Sequence, residues 1–405
     1  MSEEKILLKN CGIIDPGDIE TSLKLGGFKA LAKAREQMTP AEVIEAVKAS
    51  GLRGRGGAGF PCGLKWELAA TSPGDKKYLI VNADEGEMGT FKDRYIIQND
   101  PFALIEGAAI TAYAIGAADI YIYLRDEYHF LAATLEAAIS QAAQKGFLKG
   151  LQLEIREGAG AYVCGEETAL MNSIEGLRGE SRYRPPFPPT RGLWGRPTII
   201  NNVETLINIA PIILKGANWY KKLGTTQSRG TKLFCISGDV ENPGVYELPL
   251  GSELKKLVMD LAGASDIKMV IVGGAAGRLI PGDKLDTPLS YETMLGSGAV
   301  MVFNQTHNVI DIVHGLVSFM AEESCGKCTP CREGTEVMLE ILGRLSRAEG
   351  RSGDIETLEK LSEVMMDASL CGLGFGCPVP VLDSLKYYRS DYLNRIDQSV
   401  FIQRM

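Results

Sequence analysis

Histidine is scarce in this chain: three occur in 405 residues, His129, His307 and His314. None falls in a motif described below, so acid-base catalysis by imidazole is not expected. Long apolar runs are missing too. The stretch around residues 207–214 is broken by Asn208 and Pro211, well short of the roughly 20 residues that cross a bilayer. Any membrane link should therefore run through a partner. The start, MSEEKILLKN, has neither the basic opening nor the apolar core of a secretory signal, so a cytoplasmic protein is expected. A basic stripe is absent as well. With a net charge of -8 the chain offers no extended surface for phosphate backbones, which excludes nucleic acid as the expected partner. Nine cysteines are too few for a disulfide scaffold, yet five of them lie between Cys325 and Cys377. Such crowding in a cytoplasmic chain points to metal.

What is present is ordinary globular composition, 45% hydrophobic and 23% charged, with room for several domains. A helix is predicted over 41–49, with Thr39 as cap, Pro40 in the first turn and Ser50-Gly51 as the stop. A glycine loop follows. From 78 to about 217 short apolar strands (78–81, 120–124, 152–156) alternate with helices (101–117, 128–145), which is α/β grammar. The Pro-, Gly- and Arg-rich stretch 181–197 is expected to be irregular. Polar residues 221–232 read as a boundary. Beyond it come strands at 233–237, 245–248, 269–272 and 299–303 with one helix at 252–262, an order that suits a β-grasp. After residue 308 the apolar spacing turns helical over 310–319, 337–345, 355–366 and 381–393, implying a bundle.

The strongest motif is Glu323-Ser-Cys325-Gly-Lys-Cys328-Thr-Pro-Cys331, followed at a distance by Cys371. Three thiolates at C-x2-C-x2-C spacing can wrap three corners of one cube, because two intervening residues let the backbone curl around the metal. For the fourth corner Cys371 is the natural candidate and Cys377 the competitor. Structural zinc is the bland alternative, but zinc sites more often pair two separated C-x2-C knuckles. Cys11 and Cys235 read as plain buried thiols.

Residues 51–60, GLRGRGGAGF, carry dense glycine with Arg53 and Arg55. Backbone N–H groups there could approach a phosphate or a flat ring. The loop lacks the Rossmann context, however: a helix leads in where a strand is required, and Pro61 follows, so no helix is expected after it. Otherwise it is a flexible surface loop. Asp84, Glu85 and Glu87 follow a strand at the edge where α/β folds place ligands; carboxylates there suit hydroxyls and amides, and a solvated turn is the bland reading. Glu166 and Glu167 open a helix, which a simple cap also explains. Asn201 and Asn202 offer amides that can pair with a flavin or its phosphate.

Taken together, GLRGRGGAGFP, VNADEGE, GAYVCGEETALMNSIEG, PPFPPTRGLWGRPTIINNVET and ESCGKCTPCREG resemble the NADH-binding flavoprotein subunit of respiratory complex I (the 51 kDa or F type) and its relatives in NAD-linked hydrogenases and formate dehydrogenases. The resemblance runs from about residue 20 to 395. It implies an α/β multidomain fold: an N-terminal helical segment with the glycine loop (1–62), a Rossmann-like flavin domain (63–222), a β-grasp, ubiquitin-like SLBB domain (223–307) and a four-helix bundle carrying a 4Fe-4S cluster (308–405). It further implies FMN held by Gly54, Arg55, Gly56, Gly57, Lys65, Asn82, Asp84, Gly165, Glu166, Asn201 and Asn202. NADH would be held by Phe60, Glu85, Glu87, Tyr162, Glu167, Arg184 and Phe187. The cluster ligands it implies are Cys325, Cys328, Cys331 and Cys371. Leu68 stands where the family has an aromatic beside adenine, and Arg184 where a lysine is usual. The relatives' added thioredoxin-like and ferredoxin domains are not seen, so only the catalytic core is expected here.

NADH releases two electrons together as hydride, whereas a cluster takes one at a time, and a flavin bridges the mismatch. No side chain need act as a covalent catalyst. Glu85 and Glu87 near the ribose are expected to favour NADH over NADPH. The implied partners are a thioredoxin-like 2Fe-2S subunit and a further iron-sulfur or hydrogenase-type subunit. The rival reading is a cluster-bearing scaffold with a dead nucleotide site.

Overall fold

A computed structural model describes residues 5–293 and 295–396; the end of the expected bundle, 397–405, lies outside them. Four strands, β1 (Tyr78–Ala83), β2 (Asp119–Leu124), β3 (Gln152–Glu157) and β4 (Thr198–Asn202), form a parallel sheet in the order β3-β2-β1-β4. The chain steps outward from β1 to β2 and β3, then returns to the other flank of β1 as β4. The crevice at the carboxyl ends of β1 and β4 is thus a switch point, where open parallel sheets bind ligands. The register puts Val81 beside Asn201 and Asn82 beside Asn202, so three amides crowd that crevice.

Alternation along the strands assigns the two faces of this sheet. Leu79, Val81, Ile120, Ile122 and Ile199 join a core that runs from Ile6 to Leu233 without a break at residue 62. Helix Pro101–Ile115 crosses that face and is buried nearly all round, which explains its even apolar composition. A Cβ on its Gly107 would come within 2.3 Å of the Leu206 carbonyl oxygen, so even alanine there would push the helix off. On the opposite face Tyr78, Ile80, Tyr121, Tyr123 and Ile200 share a core with the C-terminal helices. The cluster motif is thereby brought under the sheet, since each buried Ile, Leu or Val contributes about 1.5–3 kcal/mol to that join.

The second sheet has the order β6-β5-β9-β7-β8, with β5 (Thr231–Gly238), β6 (Gly244–Pro249), β7 (Ile267–Val272), β8 (Arg278–Pro281) and β9 (Ala299–Asn304). The pair β5 and β9 is parallel, and the other three pairs are antiparallel. The expected helix at 252–262 is present, with π-type winding over Lys256–Leu261. The C-terminal helices are Val309–Glu322, Thr329–Ser346, Asp354–Ala368 and Pro378–Leu393, joined by the short Gly372–Gly376.

Helix Pro40–Ser50 matches its expectation, closed by a Thr39/Glu42 capping box and by Gly51 at φ 72°. The glycine loop departs from it. A helix, Cys62–Thr71, does follow, with Pro61 as its cap residue and not as a breaker.

Candidate functional site

The glycine loop is folded back on itself: Gly54 N–H donates to the Phe60 carbonyl at 2.9 Å, and the Arg53 Nε donates to that of Gly59 at 2.6 Å. A Cβ on Gly56 would stand 3.1 Å from Cβ of Asn202, and Gly57 has φ 125°. Glycine at 56 therefore lets the loop lie against the carboxyl end of β4, and glycine at 57 allows its left-handed turn. Arg55 does not offer its charge to this surface. Its guanidinium is fully buried, donating to Tyr220 Oη at 3.0 Å and to the Arg229 carbonyl at 2.6 Å, and it anchors the loop from beneath.

Helix Cys62–Thr71 delivers the cation that Arg55 withholds. Lys65 Nζ lies 2.7 Å from Glu167 Oε2 and 3.0 Å from the Ile200 carbonyl. The next residue, Trp66, donates its indole N–H to Asn201 Oδ1 at 2.8 Å, which takes up that acceptor. Asn202 is committed as well: its Nδ2 donates to Asp93 Oδ2 at 2.5 Å, and its Oδ1 caps helix Val203–Ile207. Asn82 donates to the Gly165 carbonyl at 2.8 Å and accepts from Asp84 N–H at 3.0 Å, tying the end of β1 to the start of helix Glu167–Ile174.

The acidic residues divide. Asp84 is pushed up to about 7 by burial, partly offset by Arg125 and reinforced by Glu127 and Glu323. Glu85 faces inward, which corrects the reading that placed it on the nucleotide ribose. Its carboxylate accepts from Asp93 N–H at 2.8 Å, Arg94 N–H at 3.0 Å and Tyr128 Oη at 3.2 Å, and so closes the start of helix Lys92–Asn99. Glu87 stays at the pocket between Tyr162 Oη, 2.7 Å away, and Ala275 N–H, also 2.7 Å away. Glu166 uses Oε2 to cap its own helix through Thr168 and Ala169, while its Oε1 is buried without a hydrogen bond, 3.5 Å from Arg184. A buried acceptor left open beside a glycine cradle suits the hydroxyls and ring N–H of a flavin. Burial works to raise the Glu167 pKa, but Lys65 and Arg184 hold it below the usual value. Phe60, Leu68 and Phe187 are exposed, at 46%, 46% and 55%.

Beneath the cradle lies a charge cluster that sequence did not reveal. Lys92 reaches Asp93 at 2.7 Å and Glu204 at 3.2 Å, and Lys232 reaches Glu204 at 2.5 Å, all four side chains buried. Only the fold brings β5 against the helices that carry the other three, so periodicity gives no signal for it.

Cys328 is the cap residue of helix Thr329–Ser346, Cys331 sits in that helix's first turn, and Cys371 caps Gly372–Gly376. A Cβ on Gly374 would come 3.0 Å from Cβ of Cys331, so glycine allows the Cys371 segment to close on Cys331. Burial pushes the Cys331 thiol up to about 11; Ser324 lowers it, and Cys328, Cys371 and Cys325 raise it further, so all four lie within electrostatic reach. Among the described residues no three His, Cys, Asp or Glu side chains are gathered tightly enough to hold a single metal ion. Four thiols brought together in this way supply one ligand for each corner of a cubane cluster. Cys377 is wholly buried, and burial pushes it up to about 12.

Residues 47–211 match the family model described as the Nuo51 FMN-binding domain, and residues 311–395 match the NADH-ubiquinone oxidoreductase-F iron-sulfur binding region. The F-type subunit (form 2) of NADH-quinone oxidoreductase from Rhizobium meliloti (strain 1021) is 42% identical over 413 residues, covering 98% of both chains. NADP-reducing hydrogenase subunit HndC of Solidesulfovibrio fructosivorans is 41% identical, covering 97% of this chain and 84% of that one. Among solved structures, an air-oxidised NAD+-reducing [NiFe]-hydrogenase superposes with a TM-score of 0.89 at 40% identity, over 97% of this chain and 67% of that one. Its H2-reduced state gives 0.85 at 43%, with 63% of that chain covered.

Proposed function

The chain belongs to the family of F-type NADH-quinone oxidoreductase subunits and their hydrogenase counterparts, and from that membership we propose which of its residues do what. It is an oxidoreductase subunit that moves electrons between NAD(H), FMN and a 4Fe-4S cluster. When bound, the flavin supplies a hydride acceptor that can pass electrons on singly.

Gly54, Gly56, Gly57 and the backbone of Arg55 admit the flavin closely. Lys65 supplies positive charge, and Asn82, Asp84, Gly165 and Glu166 meet its polar edge, with Asn201 and Asn202 forming the wall behind. Phe60, Tyr162 and Phe187 offer rings to the nucleotide, while Glu87, Glu167 and Arg184 bind and orient its polar parts. Cys325, Cys328, Cys331 and Cys371 hold the cluster, with Cys377 left to packing. The carrying observation is the gathering of those four thiols beneath the same sheet whose carboxyl end bears the glycine cradle.

The strand order of the second sheet, with its single helix, supports reading 223–307 as a β-grasp unit of the SLBB type. Residues 1–62 then serve the 63–222 flavin domain, and the bundle begins near 308. No helix among the described residues is long and apolar enough to cross a membrane. A cytoplasmic place is proposed, within a complex that includes a thioredoxin-like 2Fe-2S subunit and a further iron-sulfur or hydrogenase-type subunit. A dead nucleotide site would need Leu68 or Arg184 to close the pocket, yet Leu68 is exposed and Arg184 ion-pairs with Glu166 and Glu167.

The test is oxidation of NADH by ferricyanide, a one-electron acceptor, as FMN is stripped and restored. Activity that follows bound FMN, and is faster with NADH than NADPH, supports the assignment; activity indifferent to FMN overturns it.

A further inference from the structure

The loop that carries the first two cluster cysteines is stitched to the nucleotide-binding domain by side chains that ligate nothing. Glu323, at the end of helix Val309–Glu322, accepts the Tyr162 backbone N–H at 2.9 Å. Lys327, between Cys325 and Cys328, donates to the Ser181 carbonyl at 2.7 Å and pairs with Glu180 at 3.0 Å. From the other side Arg178 donates to the Cys325 carbonyl at 2.8 Å. Every bond in this set crosses from residues 323–328 to residues 162–181, and that second segment continues into the pocket on both ends. Tyr162 holds Glu87, and the chain beyond Ser181 carries Arg184.

Building on the cofactor assignment above, we propose that Glu323 and Lys327 are positioning residues for the reaction: they latch the cluster loop to the pocket and fix the gap over which electrons leave the flavin. Three observations single them out. Glu323 and Lys327 bracket Cys325, so both ends of the turn holding that thiol are pinned. The Glu323 carboxylate, by accepting the N–H of Tyr162, joins the cluster loop in one hydrogen bond to the backbone of a residue that bonds into the pocket. Lys327 is only 22% exposed in its side chain, and it lies over the Tyr183 ring at 5.3 Å, so its geometry is held by more than a surface ion pair. In the reaction each NADH yields one NAD+, one proton released to solvent and two electrons. With no further acceptor added, the loaded cluster would accept one of these electrons and the flavin would keep the other. Without the latch, hydride transfer in the pocket keeps its geometry while the cluster is free to shift.

The experiment compares the full chain, loaded with FMN and cluster, with Glu323→Ala/Lys327→Met and with Glu323→Gln, whose amide oxygen can still accept the Tyr162 N–H. Flavin bleaching after NADH is followed by stopped flow, and arrival of the electron at the cluster by freeze-quench electron paramagnetic resonance. A shift of about 2 Å, over which electron tunnelling falls roughly tenfold, predicts bleaching within about twofold of the parent and cluster reduction roughly tenfold slower in the double variant, with Glu323→Gln close to the parent. Amide exchange gives a readout apart from turnover: loss of one hydrogen bond should speed exchange of the Tyr162 N–H by about tenfold in the double variant and leave it slow in Glu323→Gln. Cluster reduction at the parent rate in the double variant, or bleaching slowed by the same factor as cluster reduction, overturns the proposal. If the double variant does not retain its cluster, Lys327→Met alone is read the same way. Parent protein that fails to bleach with NADH would indict the cofactor assignment, and the Tyr162 exchange rates would still decide whether the latch exists.

Discussion

Lys65 Nζ stands 2.7 Å from Glu167 Oε2, so the lysine of helix Cys62–Thr71 is paired with a carboxylate of helix Glu167–Ile174. The pair is partly buried, with side chains 16% and 24% exposed, and it joins a residue assigned to the flavin with one assigned to the nucleotide. Replacing Lys65 by methionine removes the charge and frees Glu167 to repel an anionic ligand. FMN affinity should fall about 10-fold to 100-fold, or roughly 1.4–3 kcal/mol, measured by quenching of flavin fluorescence. An unchanged Kd would remove Lys65 from the flavin site.

The two late cysteines should part company. Cys371→Ala should lose the cluster, seen as loss of bound iron and of the paramagnetic signal after reduction. Cys377→Ala should keep both, at a stability cost of about 1–3 kcal/mol for the small cavity it leaves. The reverse pattern would exchange their roles.

Much of the framework was legible in the sequence, because the amphipathic spacing of the C-terminal helices and the capped helix Pro40–Ser50 are local signals. Helix Cys62–Thr71 was hidden behind Pro61, which reads as a terminator until the chain direction shows it standing at a helix start. Strand Arg278–Pro281 is four residues long and begins with arginine, too short for alternation to register. At the site, residue type told which side chains could meet a flavin but not where they point. Arg55 and Glu85 both turn into the protein, since each is the partner of buried groups brought in from distant segments, Tyr220 and Arg229 for one and Asp93 and Tyr128 for the other.

The same blindness to long-range partners concealed the Lys232–Glu204 pair, which is fully buried at 2.5 Å. Burial pushes Lys232 down to about 8 against the pull of Glu204. Lys232→Met leaves that carboxylate with Lys92 and the Leu233 N–H and should cost about 3–5 kcal/mol in chemical unfolding. Adding Glu204→Gln should recover at least about 1 kcal/mol relative to the sum of the single changes. Strict additivity would mean that the pair does not interact.

Asp84 makes stability depend on pH in a defined direction. Its folded pKa, pushed up to about 7 by burial, lies above the ordinary 3.8, so the folded state favours the protonated acid. That contribution is complete below about 3.8 and is lost as pH rises through about 7. In protein free of flavin and nucleotide, Asp84→Asn should therefore leave stability little changed at pH 4 and raise it at pH 8 by roughly 2–4 kcal/mol. Equal shifts at both pH values would show that Asp84 titrates normally.

The most direct test of the whole account is anaerobic isolation of the chain, assay for flavin and iron, and addition of NADH while absorbance and paramagnetic resonance are recorded together. The account predicts one FMN and four irons per chain, bleaching of the flavin band, and then a cluster signal that Cys371→Ala abolishes. Zinc in place of iron, or a flavin that NADH leaves oxidised, would contradict it.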